Sequence, residues 1–336
     1  MNERDSSIDF IKGVCVLLIV LGHCQVSISL HDLLFFFHVP LFFIISGYNY
    51  RKRVFVSELS VSCRRLLLPY LFVASVLFAI EIVRTCMGEG GMGALDKILA
   101  LIWGSGFPYH FCLLPFSKAD SIGPLWFLWA MFWARLFMNC IMHLENDNLK
   151  IGLVCMIAII FVNIKQYFSL PFSLIPGICA TGFLYCGYLL KKYDFLNHER
   201  GNFFLLICLF IFVLCLIPSG NLDVNLSQYK GYYILDLFGE IAVFGIAIIV
   251  SRKLLFNNRF AFVIEKIGRY SLIVYCVHAL EYNLMYSYWP IIWMKYFPID
   301  YAFVLEIILR VAIALLGSAI ILKVPFLKKY IFSIKN

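Results

Sequence analysis

The sequence predicts an all-α, polytopic integral membrane protein with about ten transmembrane helices and both termini in the cytosol. Hydrophobic residues make up 62% of the 336 residues and charged residues only 14%, whereas soluble domains carry about 25% charge. The mean hydropathy is +0.88. Apolar runs of membrane-spanning length recur along the chain, and lysine and arginine concentrate in alternate connections between them.

Apolar runs of about 18 or more residues define ten predicted spans. They cover residues 8–29, 33–50, 66–84, 124–144, 149–165, 170–190, 202–218, 232–250, 268–289 and 301–322. The first run holds Asp9 and Lys12 and lacks a short apolar core with a small-residue cleavage site, so it predicts a retained helix rather than a signal peptide. We expect a single membrane domain over residues 1–336 with no appended soluble domain.

The distribution of lysine and arginine sets the predicted orientation, because the cytosolic connections of membrane proteins are enriched in both. With a cytosolic N-terminus, the outer connections hold only Arg84, Lys97, Lys118, Lys165, Lys230 and Lys295. Nearly all other basic residues then fall in cytosolic segments. This topology explains the net charge of +8, so the expected partner is the lipid bilayer and not a nucleic acid.

The 12 cysteines do not have the spacing of a metal site. None are spaced as C-x-x-C, and most, including Cys155, Cys179 and Cys208, lie inside apolar runs, where cysteine packs as a small hydrophobic residue. We therefore expect no metal. Cys86 and Cys112 both fall in the first outer connection, where a disulfide and two free thiols are both open alternatives.

The first two spans carry ionisable residues that lipid alone would not tolerate. Lys12 and His23 are eleven residues apart, which places them on nearly the same helix face and roughly 16 Å apart along the axis. Counted from Ile8, His23 lies roughly 22 Å deep. Counted back from Tyr50, His38 lies roughly 18 Å deep. The two histidines are therefore predicted to meet at one level.

Each of these histidines has a second interpretation, because a lone histidine in a membrane helix also serves as an interhelical hydrogen-bonding residue. Two histidines at matched depth, with a cation on the same face, favour a functional site over that alternative.

Three later spans also carry ionisable residues. In the eighth, Glu240 is predicted to lie deep in the bilayer. In the ninth, His278 and Glu281 are three residues apart, on a face that can look inward. In the tenth, Glu306 and Arg310 have opposite charges at i, i+4 spacing, so an intrahelical ion pair is the first explanation.

Several sequence blocks, taken in their order and spacing, point to one family. Asp9 is followed by Lys12-Gly13, and ten residues separate Lys12 from His23. The blocks FHVPLFFIISGY (37–48), RRLLLPY (64–70), GPLWFLWAMF (123–132) and IGRYSLIVYCVH (267–278) come after them. At these residues the chain resembles the acyltransferase 3 family of integral-membrane O-acyltransferases, in particular its fucose 4-O-acetylase-like branch. The resemblance extends over essentially the whole chain.

This resemblance implies a multi-pass enzyme of the bacterial cytoplasmic membrane that moves an acyl group from acyl-CoA to a hydroxyl of a surface or secreted saccharide. Acetyl-CoA is the expected donor, and a saccharide or lipid-linked glycan is the expected acceptor. His23 is the expected general base, because neutral imidazole accepts a hydroxyl proton near neutral pH. The expected catalytic set is His23, His38 and Lys12, with Asp9, Glu240 and His278 in supporting positions.

The connection over residues 56–63 is predicted to be a cytosolic loop flanked by basic clusters. The residues expected to bind the phosphates of acyl-CoA are Lys12, Arg51, Arg53, Arg64 and Arg65. Membrane topology and anionic headgroups explain the same clusters, and the two explanations are compatible. The alternative function is a secondary transporter or exporter of a lipid-linked glycan, which would also hold ionisable groups within about ten helices but would not use an acyl donor.

Overall fold

The computed structural model describes residues 5–24, 28–88, 94–106, 109–110, 118–164, 170–194, 201–216, 224, 233–255, 259–286, 288–296 and 299–334. Within these residues the regular structure is helical, apart from one antiparallel pair of two-residue strands, β1 (Tyr109–His110) and β2 (Lys118–Ala119). The predicted helical class is thus confirmed for the described part of the chain. Cys112, one partner of the disulfide considered above, lies outside the described residues.

The helices are numbered in chain order. The first seven are α1 (Ser6–Gly22), α2 (Ile28–Tyr48), α3 (Phe55–Ser62), α4 (Leu68–Cys86), α5 (Ala94–Trp103), α6 (Trp126–Ile141) and α7 (Asp147–Ile164). The next seven are α8 (Leu174–Lys192), α9 (Gly201–Leu216), α10 (Tyr233–Leu255), α11 (Arg259–Arg269), α12 (Ser271–Met285), α13 (Trp289–Tyr296) and α14 (Ile299–Lys323). A π-helical turn over Cys63–Leu67 joins α3 to α4 without a break.

Each predicted span is occupied mainly by one helix, and these helices are α1, α2, α4, α6, α7, α8, α9, α10, α12 and α14. Among the described residues, four stretches are long and apolar enough to cross a membrane: Phe55–Cys86, Gly123–Ile141, Leu174–Lys192 and Phe303–Lys323. The chain therefore has the character of a membrane protein. The count of ten spans and the cytosolic location of the termini stay predictions.

Two pairs of glycines bring four helices into backbone contact. A Cβ added to Gly268 of α11 would overlap the carbonyl oxygen of Asp9 in α1, and Gly13 of α1 faces α11 in the same way. Gly47 of α2 and Gly187 of α8 form the second pair, where a Cβ on either would overlap a carbonyl oxygen of the other helix. Small residues of this kind hold membrane helices together, because lipid removes the hydrophobic drive for association. The contacts fix the positions of α1 and α2.

Candidate active site

His23 caps the C-terminal end of α1 and lies among three aromatic rings. The centroid of its imidazole is 5.2 Å from that of His278 and 4.9 Å from the ring of Tyr282, both in α12. The third ring is that of Phe35 in α2, at 5.6 Å. The His23 side chain is half-buried, whereas His278 is fully buried. Two helices far apart in sequence thus bring two imidazoles into edge-to-face contact.

His38 lies on the other side of Phe35. Their ring centroids are 4.8 Å apart, and the His38 side chain has no exposed surface. His23 and His38, predicted to meet at one level, are therefore linked through the phenyl ring that both contact.

Each of the three histidines has its Nδ1 atom beside an oxygen acceptor. Nδ1 of His23 lies 2.8 Å from the carbonyl oxygen of Ile19, and Nδ1 of His38 bonds a carbonyl oxygen one turn earlier in its own helix. Nδ1 of His278 lies 3.1 Å from Oε2 of Glu281. Because a carbonyl or ionised carboxylate oxygen only accepts, these contacts favour the neutral tautomer with the proton on Nδ1 and the lone pair on Nε2. Nε2 of His38 and of His278 has no hydrogen-bond partner within the described residues.

Glu281 connects His278 to two further helices. Its Oε1 atom accepts a hydrogen bond of 2.6 Å from Nε1 of Trp289 in α13. The same oxygen lies 3.0 Å from Nε of Arg310 in α14, an ion pair whose angle is too bent for a hydrogen bond. A carboxylate on Nδ1 fixes an imidazole ring and stabilises the imidazolium that forms when Nε2 takes a proton. His278 therefore has the setting of a base or of a charge-stabilising ring.

Arg310 is fully buried, and its guanidinium contacts three groups. Its Nη1 atom lies 3.0 Å from Oε1 of Glu306, which confirms the predicted intrahelical ion pair. Besides the ion pair with Glu281, Nη1 donates to the backbone carbonyl of His23. A buried guanidinium needs such partners, because an uncompensated buried charge is strongly destabilising. These contacts join α14 to the end of α1, and we refer to His23, His38, His278, Glu281 and Arg310 as the histidine group.

A cavity of about 790 Å³ opens at the end of the bundle where α1 begins. Its wall is strongly basic, with the cationic side chains Lys12, Arg51, Arg53, Arg65, Arg135, Lys191 and Arg269. Asp5 and Asp9 are the acidic side chains of this wall. Such an excess of arginine suits a ligand that carries phosphates, which the guanidinium fork binds through paired hydrogen bonds. We call this feature the basic cavity.

Glu58 holds two of the arginines of the basic cavity in place. Its side chain is fully buried, with Oε1 at 2.6 Å from Nη2 of Arg135 and Oε2 at 2.7 Å from Nη1 of Arg53. The loop predicted over residues 56–63 is wrong, because α3 and the π-helical turn occupy this stretch. A buried carboxylate with these bonds requires a fixed backbone, which the helix provides.

Of the five residues expected to bind the donor, four line the basic cavity and one does not. Arg51, Arg53, Arg65 and Lys12 line it, whereas Arg64 is not part of its wall. Nζ of Lys12 lies 3.4 Å from Oδ1 of Asp9, so the aspartate positions this lysine.

Glu240 lies apart from these features. Its side chain is fully buried in α10, and its two carboxylate oxygens have no hydrogen-bond partner in the described part of the chain. In that part it makes no hydrogen bond or ion pair with the histidine group. Its supporting role therefore stays a prediction.

The inner wall of the basic cavity comes within one helical turn of two histidines. Phe42 lines the cavity and follows His38 by four residues in α2, which is about 6 Å along the axis. Tyr275 lines the cavity and precedes His278 by three residues in α12, which is about 4.5 Å along the axis. A long ligand whose phosphates bind the basic wall can therefore bring its far end to the imidazoles.

Sequence reasoning did not find several of these contacts. Tyr282 and Trp289 follow no motif, and the bond from Arg310 to the backbone of His23 joins residues far apart in the chain. The available signal was the i, i+3 spacing of His278 and Glu281, which places both side chains on one face.

Comparison with known proteins places this geometry in context. The model of a family described as an acyltransferase domain matches residues 5–323. The nodulation protein NolL of Mesorhizobium japonicum is 22% identical over 311 residues, covering 84% of this chain and 78% of that protein. The nodulation protein NolL of Sinorhizobium fredii is 23% identical over 316 residues, covering 84% of this chain and 79% of that protein. The region matched by the family model includes the whole histidine group and the whole basic cavity.

Proposed function

This chain belongs to the acyltransferase family whose domain model matches residues 5–323. We propose that it is a bacterial membrane O-acyltransferase that moves an acetyl group from cytosolic acetyl-CoA to a saccharide hydroxyl. Family membership supports acyl transfer in general. The acetyl donor, the saccharide or lipid-linked glycan acceptor and the cytoplasmic membrane belong to the proposal. The observation that carries it is the basic cavity, whose inner wall lies one helical turn from the histidine group.

The basic cavity suits both ends of the proposed donor. CoA carries its phosphates at the nucleotide end, where Arg51, Arg53 and Arg65 supply cations, and its thioester lies at the end of a long flexible arm. In the predicted topology this cavity opens to the cytosol, where acetyl-CoA is made. Lys12 stands roughly 16 Å from His23 along α1, so we assign it to the phosphates or the arm rather than to the thioester.

We assign the general base to His23. Of the three histidines it is the one with an exposed part, and its Nδ1–H points to the carbonyl oxygen of Ile19, which leaves Nε2 to accept a proton. The carboxylate of Glu281 lies behind the neighbouring ring of His278 and favours positive charge on the imidazole pair. His278 is therefore proposed as a charge-stabilising ring. His38, fully buried beyond Phe35, is assigned to the wall of the acceptor site.

The transfer then proceeds through one proton relay. Nε2 of His23 takes the hydroxyl proton as the acceptor oxygen bonds to the thioester carbonyl carbon. The carbon–sulfur bond breaks, and the proton passes from the imidazolium of His23 to the departing thiolate. The products are the acetyl ester and free CoA, and His23 returns to its neutral form.

Radiolabelled acetyl-CoA tests this function with the full-length protein in detergent micelles. We expect release of free CoA and movement of label to a saccharide acceptor, both saturable in acetyl-CoA. A protein that neither binds CoA nor releases it from acetyl-CoA would refute the proposal and favour the exporter alternative. The acceptor follows from comparing the glycans of a deletion strain with those of its parent, because each lost ester lowers the glycan mass by one acetyl group.

A further inference from the structure

Three aromatic rings from different helices meet at the inner end of the basic cavity. The centroid of Phe127 in α6 is 5.8 Å from that of Phe42 in α2 and 5.6 Å from that of Tyr275 in α12. All three side chains line the cavity. Because Phe42 and Tyr275 are each within one helical turn of a histidine, the rings lie on the side of the cavity nearest those histidines.

Two of these rings, Phe127 and Tyr275, are held from behind by the core. Phe43 is fully buried, and its centroid lies 5.1 Å from that of Phe127. The hydroxyl of Tyr275 donates to the carbonyl oxygen of Pro124, in the short turn that leads into α6. Protein interiors pack as densely as organic crystals, so neither ring moves aside without displacing its neighbours. Phe127 and Tyr275 are therefore fixed parts of the inner wall of the cavity.

We propose that Phe42, Phe127 and Tyr275 form an aromatic floor that limits the length of the acyl chain, an inference that rests on the proposed function. An acetyl group ends one carbon beyond its carbonyl and needs little room beside the rings. Each further methylene must compete with the rings for space at this end of the cavity. In an enclosed pocket one methylene changes discrimination by about 10-fold or more, so a fixed floor is sufficient to select short acyl donors.

Competitive binding measures this selection without depending on turnover. A fluorescent CoA is displaced from the full-length protein by acetyl-, butyryl- and hexanoyl-CoA. In the wild type, affinity should fall about 10-fold or more from acetyl- to hexanoyl-CoA. Phe127→Ala and the milder Phe42→Leu should reduce that ratio to about 3-fold or less, because each opens space for methylenes. The rate of acetyl transfer is measured in parallel.

Phe132→Leu is the matched control, because Phe132 lies in α6 as Phe127 does, but its ring packs on Trp129 and Trp133 and is not part of the cavity wall. It should keep the wild-type ratio. Equal affinities for the three donors in the wild type, or a wild-type ratio in both Phe127→Ala and Phe42→Leu, would overturn the aromatic floor and leave acetyl transfer standing. A wild type that neither binds CoA nor transfers acetyl would instead overturn the proposed function.

Discussion

Replacing Arg65 by glutamine removes one cation from the wall of the basic cavity and leaves its neighbour Arg64 in place. Both side chains are exposed, and both lie in the π-helical turn Cys63–Leu67, so they make equal contributions to the charge that orients the chain in the membrane. Only Arg65 lines the cavity. Comparing Arg65→Gln with Arg64→Gln therefore distinguishes an effect on donor binding from an effect on membrane topology.

The expected size of the effect follows from the setting of Arg65. A hydrogen bond to a charged group contributes about 1.5–3 kcal/mol. Arg65 is exposed and shares the wall with Arg51 and Arg53, so we take the lower end of that range. This corresponds to an increase of about 10-fold in the KM for acetyl-CoA, with kcat and the KM for the acceptor nearly unchanged.

The assay is initial-rate kinetics in proteoliposomes at a fixed acceptor concentration, with acetyl-CoA varied. Arg64→Gln should leave the donor KM within about 2-fold of the wild type, because its side chain is not part of the cavity wall. Equal increases in both variants would mean that bulk positive charge, and not the cavity, attracts the donor. No increase in Arg65→Gln would remove this residue from the donor site.

Three further predictions concern the carboxylate, the helix contacts and the topology. Glu281→Gln keeps the shape but removes the charge beside His278, so turnover should fall by about 10²-fold at an unchanged donor KM; near-normal turnover would remove the carboxylate from the mechanism. Gly268→Ala should lower the free energy of unfolding by about 1–3 kcal/mol, because the added Cβ would overlap a carbonyl oxygen of α1. Gly152→Ala is the control and should be neutral or stabilising, because the space around Gly152 is open. Reporter fusions should place residues 50–65 and the C-terminal tail in the cytosol and residues 87–118 outside, and a cytosolic signal from 87–118 would overturn the ten-span topology.

The helical segments of this chain were predictable because the signal for each is local. An apolar run of membrane-spanning length predicts a helix from local sequence alone, and each of the ten predicted spans is occupied mainly by one helix. The short helix α3 was missed for the same reason: its eight residues are too few and too polar for the hydropathy pattern, and one partner of its Glu58, Arg135, lies far along the chain in α6.

The candidate site was predictable only in part. Helical periodicity relates Lys12 to His23 within α1, but it does not say which helix packs against that face. The contact between His23 and His278 depends on the packing of α1 against α12, whereas the glycine contacts, Gly13 with Gly268, pack α1 against a different helix, α11. The basic cavity likewise combines side chains from several helices, so single-sequence patterns suggested its arginines without separating Arg65 from Arg64.

The central claim is that His23 is the base of an acyl transfer. The most direct test measures the turnover of acetyl-CoA and the thermal stability of purified His23→Ala. His23→Gln is the near-isosteric control. The account predicts that both variants lose about 10²-fold or more in kcat while they still fold and bind CoA, because a positioned base contributes about that much. If His23 is only an interhelical hydrogen-bonding residue, its loss costs about 1 kcal/mol of stability and little activity. Variants with a lowered Tm and turnover near that of the wild type would contradict the account and transfer the role of base to His278 or His38.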